Sequence, residues 1–142
     1  MTWTITLPHA KIPDGLSANW RGHWAVRNHA VQALRNRVVW KVRQQNIPAM
    51  QRIQIELVWV VKDRRKRDVD NALFMYKTIA DAIASDRGTS AHLVADDSPE
   101  YTTKLMPRIE HRPGSVPHFE VLITDISHRP DAVDQLTKEY EL

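Results

Sequence analysis

VKDRRKRDVDNALFMYK, residues 61–77, decides how the rest of this chain is read. The end of a hydrophobic run passes into a cluster of cations, then into Asp68-Val69-Asp70-Asn71, then into the apolar spacing of a helix. Just upstream, Ile53, Ile55, Leu57, Trp59 and Val61 alternate with Gln54, Glu56, Val58 and Val60, so one face is apolar throughout and the other becomes so towards the end. That is the pattern of a central strand covered on both sides. Just downstream, Leu73, Tyr76, Ile79, Ala80 and Ile83 recur at helical spacing. Strand, charged loop and helix in direct succession put the loop where two rigid elements aim its side chains.

In an extended segment residues i and i+2 face the same way, so Asp68 and Asp70 can point two carboxylates into one space. Magnesium takes oxygen ligands, commonly one or two carboxylates completed by water and substrate phosphate. It can activate a water and stabilise a phosphate under attack. Lys62, Arg64, Arg65, Lys66 and Arg67, opposed only by Asp63, set a phosphate-attracting surface beside those acids. A metal site next to a polyanion site reads as a nuclease. A plainer reading stays open at each point. Asp-x-Asp-Asn ahead of an apolar-periodic segment is also an ordinary helix start, and a basic run is also a solvated face or a targeting signal.

Two further positions extend the pattern. Lys77 follows Asp70 by almost two helical turns, an axial gap of roughly 10 Å on the same side of the helix. Helical side chains lean towards the N-terminus, so an extended lysine reaches most of the way to a phosphate held at the carboxylates; the alternative is an ion pair with Asp81 one turn on. Asp96-Asp97, after the short apolar run Ala91 to Ala95, supplies a third ligand or forms a plain turn. The histidines show no metal-ligand spacing.

Outward from this centre, Thr2 to Leu7 alternates Thr with Trp3, Ile5 and Leu7, a half-buried strand ended by Pro8. The loop Asn19-Trp20-Arg21-Gly22-His23-Trp24 can hold nucleic acid by stacking and phosphate contacts; alternatively its tryptophans are core anchors, Trp24 above all because it leads into a helix. From about His23 to Gln44 there is no Pro or Gly, and Val31, Leu34, Val38 and Val42 form one apolar stripe. Arg27, Arg35, Arg37, Lys41 and Arg43 lie mostly off that stripe and either face solvent or line a duplex. Between Gly15 and Ile55 there is no acidic residue, which makes this a polyanion-binding half although the whole chain carries only +3. The cations expected on DNA are Arg64, Arg65, Lys66 and Arg67 from the central run, with Arg21 and Arg27 from the acid-free half. Glu100 to Met106 and His118 to Ile126 read as two strands joined by a loop rich in Arg, Pro and Gly, hence an antiparallel hairpin.

At 142 residues and 42% apolar content the chain suits one domain with its own core. The expected fold is α/β (α+β): order β-α-β-α-β-β over residues 1–126, a mixed sheet with helices packed on it. An acidic tail, residues 127–142, forms a short helix from Asp131 or frays. The absence of cysteine excludes disulfides and thiolate metal sites and favours a reducing compartment. No apolar run approaches membrane-spanning length and the amino terminus lacks a signal pattern, so a cytoplasmic protein with no membrane partner is expected.

Taken together, the strand, the run Asp63-Arg64-Arg65-Lys66-Arg67-Asp68-Val69-Asp70-Asn71, the helix with its lysine, the Asp81-Ala82-Ile83 segment and Asp96-Asp97 resemble the RusA family of Holliday junction resolvases, which phages and prophages carry widely. The likeness covers Thr2 to about Ile126 in element order, and its specificity lies in the basic run joined to Asp-x-Asp-Asn and the later Asp-Asp. It implies a small α/β fold, a homodimer, and nicking of four-way DNA junctions that depends on Mg²⁺, with Mn²⁺ expected to substitute and no organic cofactor. Its essential carboxylates fall on Asp68, Asp70 and Asp97, and its functional lysine on Lys77. The best-known family pattern has that lysine about one helical turn earlier, which keeps it on the same face. Two other readings remain: a non-catalytic DNA-binding accessory of recombination or packaging, whose aspartates are caps, and a nuclease acting on flaps or forks.

Overall fold

The computed structural model describes residues 1–129, so the helix expected from Asp131, and most of the acidic tail, lie outside the described residues. The chain builds β1 (Thr2–Leu7), α1 (Trp24–Gln44), β2 (Ile53–Val61), a 3-10 turn (Val69–Ala72) that runs into α2 (Leu73–Ala84), then β3 (Thr102–Lys104), β4 (Arg108–His111) and β5 (His118–Asp125). This is the order β-α-β-α-β-β with the penultimate strand divided in two: only Thr102–Lys104 of the strand expected over Glu100 to Met106 forms, and the second piece, β4, lies in the expected loop before β5.

β2 is the centre of a mixed five-stranded sheet, as its two apolar faces require. β5 lies between β1 and β2 and is antiparallel to both, while β3 and β4 run parallel to β2 along its other edge. The expected hairpin between the last two predicted strands is therefore not formed. The chain leaves β4, passes the end of β2 and returns on its far side, with Arg112 N–H donating to Val61 O at 2.9 Å. A strand apolar on both faces needs a neighbour on each edge, and that need outweighs the local turn signal. β3 and β4 are separate because the register slips by one residue between the pairs Ile55–Lys104 and Val58–Arg108. Pro107, which has no N–H to give a ladder, stands in that gap.

α1 is capped by His23, whose Nδ1 accepts from Ala25 N–H at 3.1 Å. Its buried stripe is Leu34, Val38, Val39 and Val42, and it meets Met75, Ile79 and Ile83 of α2 and Ile5, Leu57 and Ile123 of the sheet in one apolar cluster. Trp24 does not anchor the core as expected: it is 70% exposed and stacks on His23 at 5.5 Å. It occupies the first turn, before the buried stripe begins. Trp20 is half-buried instead, its ring so close over Gly22 that a Cβ there would collide with it.

Val58 and Val60 are fully buried yet outside that cluster, on the sheet face opposite the helices. Arg108 and Glu120 flank Val58 in the register, and Glu110 and His118 flank Val60. Their long side chains shield the two valines with a charge network in place of a second apolar layer. Among the described residues no helix is long and apolar enough to cross a membrane.

Candidate metal and nucleic-acid site

β2 ends at Val61, and the six residues after it are folded by one carboxylate. Asp63 Oδ1 accepts from Arg65 N–H at 3.1 Å and from the Arg67 guanidinium at 2.8 Å. Arg67 also donates to the carbonyls of Asp63 and Arg65 and lies 5.8 Å from the Trp59 ring. The Arg65 amide, then the Arg67 guanidinium, hold the Asp63 carboxyl below the ordinary carboxylate range. So the single acid of the basic run is spent inside the loop, and Arg67 is turned inward as its brace. Arg64, Arg65 and Lys66 remain exposed, Arg65 keeping a long 3.6 Å contact with Asp63. Lys11, Trp59, Lys62, Arg65 and Lys66 line an open cleft here. Lys11 arrives from the loop after β1, and nothing in its own neighbourhood of sequence marks it as part of this surface.

Asp68 starts the 3-10 turn. Its Oδ1 accepts from Asp70 N–H at 3.0 Å, and its carbonyl accepts from Asn71 N–H. The segment is therefore not extended through Asp70: the cap closes a turn between the two acids, and the i, i+2 argument for a shared direction does not apply. Both carboxylates are nonetheless exposed, and neither forms an ion pair with the cations beside it. On the other side, Ala18 N–H donates to Asn71 O at 3.0 Å, which ties the amino-terminal loop to the turn.

The remaining predicted positions divide. Lys77 pairs with Asp81 at 3.3 Å, so in this structure its ammonium points along α2 away from the Asp68–Asp70 turn. Asp96 caps a tight turn, its Oδ1 accepting from Ser98 N–H at 2.7 Å; hydrogen bonds from Ser98 hold its carboxyl below the ordinary range. Its carbonyl accepts from Thr102, which pairs with Ile53, so Asp97 stands beside the start of β2, whereas the Asp68 loop follows its end. Asp97 is exposed. Arg21 is exposed. Arg27 instead donates to Gly15 O at 3.0 Å and Ser17 O at 2.6 Å, with its guanidinium 3.9 Å from the Phe74 ring centre. It clamps the amino-terminal loop onto α2, next to a Gly15 at φ +87°, where a Cβ would stand 3.1 Å from Val26 O.

Among the described residues no three His, Cys, Asp or Glu side chains gather into a group able to hold a metal ion. Asp68 and Asp70 still fit Mg²⁺ as a donor set: two hard oxygen ligands, exposed and unpaired, with water and substrate phosphate to complete the shell. No family model matches this chain, and no curated protein is significantly similar to it.

Proposed function

We propose that this protein is a metal-dependent endonuclease of the RusA type that cuts branched DNA, four-way junctions foremost, by paired hydrolysis of phosphodiester bonds. One observation carries the reading: among the described residues Asp68 and Asp70 make no ion pair at the end of a loop crowded with arginine and lysine, while the loop's own acid, Asp63, is consumed within it. Exposed carboxylates that meet no cation among the described residues are available to one, Asp68 through the oxygen its cap leaves over, and the exposed Arg64, Arg65 and Lys66 are available to phosphate. When bound, Mg²⁺ supplies an activated water and stabilises charge on the phosphate under attack.

Asp68 and Asp70 would hold the ion, and their turn is held in place by the Asp68 cap and the Ala18–Asn71 hydrogen bond. Arg64, Arg65, Lys66 and Lys11 draw the sugar-phosphate backbone into the cleft. Lys77 releases Asp81, an exposed pair worth only about 0.3–0.5 kcal/mol, and turns to the phosphate. Asp97 does not join the other two aspartates among the described residues, and it is left out of the proposed ion site. A two-fold homodimer supplies the matched pair of nicks that symmetric resolution needs. The setting is the cytoplasm, where the DNA substrate lies.

A second reading is favoured by the three bonds that behave as plain structure: the Asp68 cap, the Asp96 turn and the Lys77–Asp81 pair. It makes the protein a DNA-binding accessory without catalysis. Labelled four-way junction, fork and linear duplex incubated with Mg²⁺ or Mn²⁺ separate the two. The nuclease reading expects nicks in the branched substrates and intact linear duplex; binding with no nick in either metal selects the accessory.

A further inference from the structure

Trp40 stands on the outer side of α1, opposite the buried Leu34, Val38 and Val42, with 60% of its surface exposed. Leaving an indole in water forgoes one of the largest burial gains available to a side chain, and this helix is already well anchored without it. None of its neighbours on the helix is acidic. Asn36 and Arg37 precede it by one turn, Lys41 adjoins it, Arg43 and Gln44 follow, and the small Ala33 leaves a shallow groove before the ring. Arg37, Lys41 and Arg43 make no ion pair among the described residues. The other two cations of α1 are used on backbone: Arg27 on Gly15 and Ser17, Arg35 on Arg87 and Thr89. Cations near a helix C-terminus suit its dipole, which accounts for Lys41 and Arg43. It accounts for neither Arg37 nor the exposed ring.

We propose that this face of α1 binds single-stranded nucleic acid, with an unpaired base stacked on Trp40 and the adjoining phosphates held by Arg37 and Lys41. Charge selects the partner, because no carboxylate occurs from Gly15 to Ile55 to repel a polyanion or to attract a basic one. The ring selects among polyanions, since every unpaired base offers a π-face whereas a duplex keeps its bases stacked on each other. The site rests on the reading of this protein as one that handles branched DNA, and it adds that reading's contact for the unpaired strand. Ala33, Asn36, Arg37, Trp40 and Lys41, which line this groove, are not among the residues that line the basic cleft.

The test is anisotropy of a labelled oligothymidine, a duplex of the same length and a four-way junction, in EDTA, with sedimentation of each protein alongside. Trp40→Ala is expected to weaken oligothymidine binding roughly tenfold and duplex binding by no more than about twofold. Trp40→Phe restores most of the loss, and Arg37→Gln with Lys41→Gln reduces the salt slope on the single strand by roughly 1.4. A folded Trp40→Ala that binds oligothymidine like wild type while both bind the junction overturns this site alone. A wild type that binds none of the three DNAs overturns it together with the nuclease reading. Dissociation of a wild-type oligomer by Trp40→Ala, with oligothymidine affinity intact, overturns it in favour of a second copy on this face.

Discussion

Arg27 makes three contacts at once, two hydrogen bonds to loop carbonyls and a face-on approach to Phe74. Arg27→Ala leaves Gly15 O and Ser17 O without their donor and is expected to cost about 1–3 kcal/mol of stability, read as a lower urea midpoint at unchanged m-value. Arg67 plays the same part in the loop after β2. Both were expected on DNA, because a sequence shows how many cations a segment holds and not which of them meet a carbonyl folded back from elsewhere. The residues whose use was legible are those with short-range partners. Asp68 as cap, Asp96 as turn former and Lys77 with Asp81 were each one of two stated alternatives, and all lie within four residues of their partners. That such pairs form does not decide whether substrate draws the same groups away. Exposed Lys77→Met should therefore leave stability within about 0.5 kcal/mol of wild type while slowing cleavage at least about tenfold if the lysine serves the phosphate.

At the scale of elements, the join between α2 and the divided strand depends on Tyr76. Its hydroxyl lies 2.7 Å from both Ile55 O and Leu105 O, at the gap where the β2–β3 ladder ends and β4 has yet to begin. Burial raises its pKa above the ordinary phenol value, so the hydroxyl stays protonated and able to donate. Tyr76→Phe should cost about 1–3 kcal/mol and speed hydrogen exchange in β3. On the other sheet face, Arg112 grips Glu120 with two bonds at 2.7 and 2.8 Å, and His118 Nε2 lies 2.9 Å from the same carboxylate. The Arg112 guanidinium first, and His118 next, bring the Glu120 pKa from 4.5 down to about 2, while the Glu120 carboxylate raises that of His118 above 6.5. The signs follow by linkage. The depressed Glu120 contributes stability that is complete above pH 4.5 and is lost as pH falls towards 2; the raised His118 contributes stability that is complete below pH 6.5 and is lost as pH rises through its higher folded value. Glu120→Gln should flatten both limbs of a plot of urea midpoint against pH. Both helices and the strands β1, β2 and β5 were legible in the sequence nearly to the residue, since their periodicity is local; β3 keeps only Thr102–Lys104 of the strand expected over Glu100 to Met106, and β4 lies in the expected loop. Their partners were not: the hairpin signal around Gly114 is local too, but the place of β5 beside β2 follows from which edges the whole sheet leaves open.

Across the whole molecule, the topology brings the end of β2, the loop that follows it, the loop after β1 and the approach to β5 together, and there the cations Lys11, Lys62, Arg65 and Lys66 share one cleft. If this cleft holds DNA backbone, Arg65→Gln with Lys66→Gln should weaken binding about equally for all sequences and reduce the salt slope by roughly 2 on duplex arms. The acid-free stretch made a basic surface legible from the sequence, but not its division into braces and outer helix face, nor that Lys11 joins the cations after β2 in a separate cleft. The Asp-x-Asp-Asn spacing made the two carboxylates legible, but not the turn between them.

The most direct measurement of the central claim compares wild type with Asp70→Asn on a labelled four-way junction, scoring nicks in Mg²⁺ and affinity in EDTA. The account predicts nicking by wild type, none by the variant, and junction affinity in the variant equal to or above wild type, because a negative charge has left a polyanion site. An Asp70→Asn protein that cuts at the wild-type rate would contradict it.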